Sequence, residues 1–281
     1  MIGNELRVSI VIPTYNRPGA LAACLDSLEK QTVAPHEVII VVDGGITKEV
    51  QRVIDIFKSK NELNIVQINN RERRGMQVSR NIGAEAASGD IIAFLCDDIT
   101  LVPEWLAEIL RGYWENKDAA GVGGRVIQLT PFMDSTFYRL YYRVRRFLFS
   151  NKLGKISFIG LPYIPIVEAS ERLLSVDYLA AGNMALRRDV FHSYKFDTSL
   201  EVNNELDLGI RLTKRGKKKL IYNSKAIVYH SFLSGGSGYP GRGTERLYGA
   251  FRDHTIYLLK NFNAKYLRLA FFSATVLIYS L

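Results

Sequence analysis

The stretch FLCDDITLVPEWL (Phe94–Leu106) puts two acids, Asp97 and Asp98, directly after an apolar run. Neighbouring carboxylates repel each other and lose hydration at the end of a buried strand. Such a pair is either a solvated turn or a grip for something positive, and a hard divalent cation needs only one or two protein carboxylates. Another acid, Asp43, closes EVIIVVD, and further acids stand in NNELDLGIRL (Asn203–Leu212), where Glu205 and Asp207 are two positions apart. Two residues that close on a helix cannot point the same way, so one of that pair is reactive at most. A histidine, His230, ends the β-branched run AIVYH. Each group also has a plain reading. Asp98 could cap a helix beginning in DITLVPEWL, Glu205 and Asp207 could form an exposed turn pairing with Arg211, and His230 could be a satisfied core residue.

The elements that must position these residues alternate. RVSIVIPTY, EVIIVVD, LNIVQINN and DIIAFLCDD read as strands that are apolar throughout. PGALAACLDSLEKQ, KEVQRVIDIFKSK and GMQVSRNIGAEAASG have helical spacing, the first through Leu21, Cys24, Leu25 and Leu28. Strands of this kind between helices predict an α/β fold with a mainly parallel central sheet flanked by helices. Ligands of such sheets bind beyond the carboxyl ends of the strands. Asp43, Asp97 and Asp98 are therefore expected on one rim.

Beyond residue 128 the pattern is less regular. FYRLYYRVRRFLFSNK mixes aromatics with Arg139, Arg143, Arg145 and Arg146, and reads either as an ordinary amphipathic core helix or as a helix meeting lipid headgroups. SVDYLAAGNMALRRDVF (Ser175–Phe191) is expected as a further helix, and KLIYNSKAIVYH (Lys219–His230) as a strand pair or a strand with a turn. SGGSGYPGRG (Ser234–Gly243) has too many glycines for a rigid element. No linker divides the chain. One domain over residues 1–260 is expected, with a nucleotide-binding part to about 125 and an acceptor part from about 126. The last segment, 261–281, is apolar and too short for a full span; it could be a docked core helix, an interfacial helix, or half of a spanning helix.

The chain has 281 residues, net charge +9, 47% hydrophobic and 23% charged residues, which excludes disorder and suits a phosphate-bearing partner. Its two cysteines, Cys24 and Cys96, offer no disulfide framework and no zinc thiolate site. With no signal peptide evident at the start, a cytoplasmic location is expected, including the cytoplasmic face of a membrane. GxxxxGK[ST], GxSxG and HExxH motifs are absent.

Taken in order, SIVIPTYNRP, EVIIVVDGG, RGMQVSRNIGAEAASGDIIAFLCDD, AAGNMALRRDVF, NELDLGIRLTKRG and AIVYH closely resemble the family 2 glycosyltransferases. The resemblance runs from about Ser9 to Lys260. It implies the GT-A fold, a Rossmann-like nucleotide-diphospho-sugar transferase architecture. It also implies an inverting transfer from a nucleoside-diphosphate sugar, most often UDP-linked, with Mn2+ or Mg2+ as cofactor. The implied partners are that donor, a glycan or lipid-linked acceptor and a membrane surface, not nucleic acid.

Carried residue by residue, the resemblance puts Pro13, Thr14, Tyr15 and Arg17 in the loop lining the base, and makes Asp43 the acid that reads it. Gly44 stands where the family often has a second acid. Arg74 and Arg80 pack beside the nucleotide, though Arg80 could equally bridge helix and strand. Asp97 lies toward the ribose, and Asp98 is the metal-binding member of a D-x-D-type motif whose usual first acid is here Cys96. Gly182 and Asn183 face donor sugar and acceptor, unless these small residues only allow close packing. Glu205 falls on the general base and His230 completes the metal's coordination. The glycine-rich loop is expected to close over the diphosphate, with Arg242 or Arg246 on the phosphates. The rival readings are a sugar-phosphate nucleotidyltransferase, which would carry a glycine-rich basic loop where this chain has PTYNRPGAL, and a non-catalytic nucleotide-sugar binding protein.

Overall fold

The run VSIVIPT forms β1 (Val8–Thr14), buried at every position, because β-branched residues pack well on both faces of a covered sheet. The computed structural model describes residues 6–128, 153–157, 160–162, 173–231, 244–263, 266–268, 270 and 273. Beside β1 lie β2 (Glu37–Val42), β3 (Ile65–Asn69) and β4 (Ile91–Leu95), in the order β3–β2–β1–β4 and all parallel. Crossovers are made by α1 (Pro18–Glu29), α2 (Lys48–Lys60) and α3 (Met76–Ala86). The spacing of Leu21, Cys24, Leu25 and Leu28 turns all four inward, while Pro18 occupies the first turn, where its missing N–H has no partner to lose. Thr47 starts α2 by accepting the Val50 N–H. Helix α3 sits close on the sheet because residue 83 is glycine: a Cβ there would stand 2.5 Å from a Val11 methyl and 3.0 Å from one of Val41.

The rest of the sheet is mixed. β8 (Asn183–Arg187) runs antiparallel between β4 and β6 (Ala119–Gln128), and β9 (Lys219–His230) continues parallel to β6. β5 (Ile99–Leu101) and β7 (Leu174–Val176) both pair antiparallel with β9. The α/β fold and the parallel half are as expected from sequence, and three local expectations are corrected. Ser175–Phe191 is not a helix; it supplies the end of β7, a loop, β8 and the start of α5 (Arg188–Tyr194). Met184, Ala185 and Leu186 are buried on both faces, and a short run buried all round does not separate helix from strand by periodicity. Lys219–His230 is one strand whose register against β6 shifts between Gly124 and Arg125. The chain after Asp98 enters β5, and α4 (Trp105–Glu115) begins only after Pro103, so Asp98 caps no helix.

One core lies beneath α1, α2 and α4. The opposite face is covered by α3 and α5, where Phe94, Phe191 and Phe196 meet with ring centroids 4.9–5.7 Å apart. A smaller cluster of Leu206, Ile210, Tyr257 and Leu258 joins α6 (Asn204–Ile210) to α7 (Thr244–Asn261). The basic–aromatic stretch 137–152, the glycine-rich loop with Arg242, and most of the apolar C-terminus lie outside the described residues. Among the described residues no helix is long and apolar enough to cross a membrane.

Candidate functional site

Because β1 lies between β2 and β4, the carboxyl ends of all three converge, and Thr14 joins them. Its carbonyl accepts the Asp43 N–H (2.9 Å) and its hydroxyl donates to Asp97 (2.8 Å). The expected shared rim therefore exists. Pro13 and Thr14 are the last residues of β1 and buried, which corrects their expected place in a loop; Tyr15 and Arg17 alone lie in it. Asn16 turns the chain there with φ +47°. β9 ends beside β5 with His230 paired to Ile99, and the Ser231 N–H donates to the Asp98 carbonyl (2.9 Å). This register sets His230 Nε2 3.1 Å from Asp98 Oδ1.

Arg17 reaches across from the start of α1 to both acids. Its Nη2 is 2.5 Å from Asp97 Oδ1 and its Nη1 2.9 Å from Asp98 Oδ2. Asp97 is completely buried. That burial pushes its carboxyl up to about 6, opposed by Arg17 and the Thr14 hydroxyl and reinforced by Asp98. Burial also works against ionised Asp98, yet the His230 hydrogen bond and charge, with Arg17, outweigh it and hold the carboxyl below its ordinary value. The two acids thus differ: Asp98 is the committed anion of the pair.

No described cluster of three or more His, Cys, Asp or Glu forms a closed metal site, and a Mg2+- or Mn2+-type ion does not need one when diphosphate oxygens and water complete its shell. Asp98 Oδ1 and His230 Nε2 are hydrogen-bonded to each other at 3.1 Å, and carboxylate oxygen and imidazole nitrogen are both donor types that Mn2+- or Mg2+-like ions can take. Asp97 Oδ1 is buried with no aligned hydrogen bond among the described residues. This donor set fits the implied metal.

Asp43, 5% exposed, accepts from Asn70 Nδ2 (3.2 Å) and from the backbone N–H groups of Arg74 and Gly75 (both 2.9 Å). A carboxylate offers about four acceptor positions, so one remains for a ligand. Arg74 takes part through its main chain, and its side chain is exposed. Gly44 has φ +86°, and a Cβ there would stand 2.9 Å from the Tyr15 ring. A second acid is thereby sterically disfavoured. Tyr15 carries the Arg73 guanidinium 4.5 Å from its ring centroid.

Arg80 is buried, donating to Gln77 Oε1 (3.1 Å) and to Cys96 Sγ (3.6 Å). It bridges helix α3 to the end of β4, the structural role allowed for it. Burial raises the Cys96 thiol to about 11, keeping it neutral. Gly182 lies against this thiol, 3.1 Å from where its Cβ would be. Asn183 is corrected: its side chain has no exposure. It accepts from Trp105 Nε1 (2.8 Å) and donates to the carbonyls of Arg125 (3.1 Å) and Ala226 (2.9 Å), tying α4, β6 and β9 together.

The two acids of α6 are separated by their surroundings. Asp207 is wholly buried and accepts from Arg211 Nε and Asn261 Nδ2, both at 2.7 Å, with Lys260 Nζ 3.1 Å away. Glu205 is half-buried and has no hydrogen bond or ion pair with any described residue. The preceding loop is held by Asp253, which accepts the Glu201 and Val202 N–H groups (2.7 and 2.9 Å). Gln77 Nε2 donates to the Glu201 carbonyl (3.0 Å), so a path through Gln77, Arg80 and Cys96 links the loop before α6 to the acidic rim. Asn70, Gln77, Trp105 and Asp253 escaped the sequence reading. Only Asp253 left a signal, an acid four residues before the buried Tyr257 on an amphipathic helix. Arg246 lies in the first turns of α7.

Solved structures resembling this fold include a mannosyltransferase from Pyrobaculum calidifontis with GDP-Man and Mn2+ (TM-score 0.62, 15% identity, 91% of this chain and 64% of that one). GalNAc-T7 with UDP, GalNAc and Mn2+ has TM-score 0.66 at 15% identity, over 91% of this chain and 48% of that one. Both are GT-A proteins, and the fold is GT-A. Among curated sequences, a glucosyl-dolichyl phosphate glucuronosyltransferase of Haloferax volcanii is 29% identical over 243 residues, 81% of this chain and 70% of that protein. The O-antigen biosynthesis protein RfbC of Myxococcus xanthus is 26% identical over 81% of this chain, which spans only 18% of that protein. An uncharacterized glycosyltransferase of Bacillus subtilis, YwdF, is 43% identical over 33% of this chain and 32% of its own length. The sequence model of glycosyl transferase family 2 matches residues 9–194, including β1, the acidic rim and β8, and the chain belongs to that family.

Proposed function

We propose that the protein moves a sugar from a nucleoside-diphosphate sugar, with a UDP-linked donor the first candidate, to a glycan or lipid-linked acceptor, with inversion at the anomeric carbon. The observation that carries this reading is the division of labour among the acids. Asp98 is an anion with His230 at 3.1 Å, while Glu205 stands without a described partner and its neighbour Asp207 is fully engaged.

Asp98 and His230 would hold a divalent metal, which when bound neutralises charge developing on the leaving diphosphate. Asp43 offers its remaining acceptor position to a base N–H and Tyr15 a ring face to the base, while Asp97, without exposure and with its oxygens on Thr14 and Arg17, braces the rim instead of reaching the ribose as expected. Gly182 leaves room for the donor sugar beside Cys96. Glu205 accepts the proton of the acceptor hydroxyl as that oxygen attacks the anomeric carbon, and the bond to the diphosphate breaks on the opposite face. Arg242 and Arg246 remain candidates for the phosphates.

The named substrate of the Haloferax relative supports a lipid-phosphate-linked acceptor. Exposed Tyr248 and Phe251 on α7, with exposed Tyr266 and Leu267 after it, support work at a membrane surface, which flotation with anionic vesicles would test. The central test is Asp98→Asn, assayed for donor hydrolysis and transfer with a panel of UDP-, GDP- and dTDP-sugars and Mn2+. Loss of turnover is expected in a variant that stays folded, with a melting temperature lowered because Arg17 and His230 lose a buried counter-charge. Full activity in that variant, or in excess chelator, would remove the metal role.

A further inference from the structure

Arg17 comes from the loop after β1 and ends between the two acids. Its two Nη groups contact different carboxylates, at 2.5 Å on Asp97 and 2.9 Å on Asp98, and its side chain is only 13% exposed. A buried guanidinium bridging two buried carboxylates ordinarily satisfies its donors. Here the two Nη groups are spent on the two acids, while Arg17 Nε is buried without an aligned hydrogen bond among the described residues. The guanidinium is thus held in place chiefly by the two carboxylates it neutralises.

Its position also conflicts with the proposed metal. Asp98 Oδ2 is taken by Arg17 while Oδ1 faces His230 Nε2 at 3.1 Å. A dication drawing on this carboxylate meets a guanidinium charge bonded to the same group, and like charges that close on one carboxylate repel strongly where water is scarce.

We propose that Arg17 is an internal stand-in cation: it neutralises Asp97 and Asp98 while no metal is present, and a divalent ion must displace it from Asp98 to bind. Asp97 and Asp98 are then never left as two uncompensated buried anions, and metal binding without the donor is weak. This rests on the metal reading above and adds a competitor to it.

The test is titration of the whole chain with Mn2+ alone, with no nucleotide, read by calorimetry or by the electron paramagnetic resonance of free Mn2+. Arg17→Gln removes the competitor and is expected to bind Mn2+ roughly ten- to a hundred-fold more tightly than the wild type, the ordinary range for coupling between ligands. Without metal, Arg17→Gln is expected to melt below the wild type, and Mn2+ is expected to raise its melting temperature more. Arg17→Lys keeps the charge but loses the two-armed bridge, so its affinity should fall between the two. Arg17→Gln binding Mn2+ no more tightly than the wild type overturns the proposal. If that variant cannot be purified folded, Arg17→Lys binding no more tightly overturns it equally. Asp98→Asn separates the premises. If it abolishes Mn2+ binding while Arg17→Gln changes nothing, only the stand-in role fails; if it leaves binding intact, the metal reading fails first.

Discussion

Replacing Asp207 by asparagine keeps the volume of a wholly buried side chain and removes its charge. The carboxylate accepts from Arg211 Nε and Asn261 Nδ2, each at 2.7 Å, through different oxygens. An amide retains one oxygen and turns an NH2 toward the other donor. One charge-assisted bond is therefore lost and one donor is left facing a donor. Arg211 keeps its bonds to the Tyr194 and Lys195 carbonyls (2.6 and 2.8 Å) but loses its counter-charge. Lys260 keeps its other carboxylate partner, Asp197, so losing its contact with Asp207 adds little to the cost. Losing one charged hydrogen bond with an uncompensated partner costs about 3 kcal/mol. At about 2 °C per kcal/mol for a chain of this size, the melting temperature falls by about 6 °C. Glu205→Gln, two residues away, breaks no described contact and is expected to shift it by about 1 °C or less. The same change removes the proposed base and should lower kcat by about 10²- to 10⁴-fold. Differential scanning fluorimetry and donor turnover on both variants read the two effects separately. A Glu205→Gln enzyme with ordinary kcat, beside an inactive Asp207→Asn enzyme of unchanged stability, would refute the assignment of roles within α6.

Two further outcomes follow from polar groups held by several partners. Asn183→Ala strands the Trp105 N–H and the carbonyls of Arg125 and Ala226; it is expected to cost about 3–5 kcal/mol, seen as a lower denaturant midpoint at constant m-value. The Asp197 carboxyl lies at about 2, since Lys260 and the Ser199 hydroxyl and N–H outweigh the opposing effect of burial. Its folded value is below its unfolded one, so the stability it adds is complete above about pH 4 and is lost as pH falls toward 2. Asp197→Asn should flatten that part of the stability profile, and an unchanged acid limb would show the ion pair to be without consequence.

Much of the molecule was legible in the residues themselves. The continuous apolar runs of β1, β2 and β4, with helices between them, determined a parallel half-sheet, because only strands covered on both faces are apolar throughout. The acids closing β2 and β4 then had to share its rim. The order of the motifs determined the family. Periodicity misread β8, whose residues are buried on all sides, and it gave no sign that Asn183 is a buried clamp. Which acid of α6 is engaged was also undecidable locally, since Arg211, Lys260 and Asn261 reach Asp207 from 4, 53 and 54 positions along the chain. The same holds at the rim. The motif resemblance already set Asp98 apart from Asp97 as the metal-binding member, but it gave no physical cause for the difference and presented Arg17 only as one residue of a loop. Tertiary structure made Asp97 the buried, weaker acid and Asp98 the anion beside His230, and it set Arg17 between them, because burial and the spacing of charges exist only once distant strands are paired.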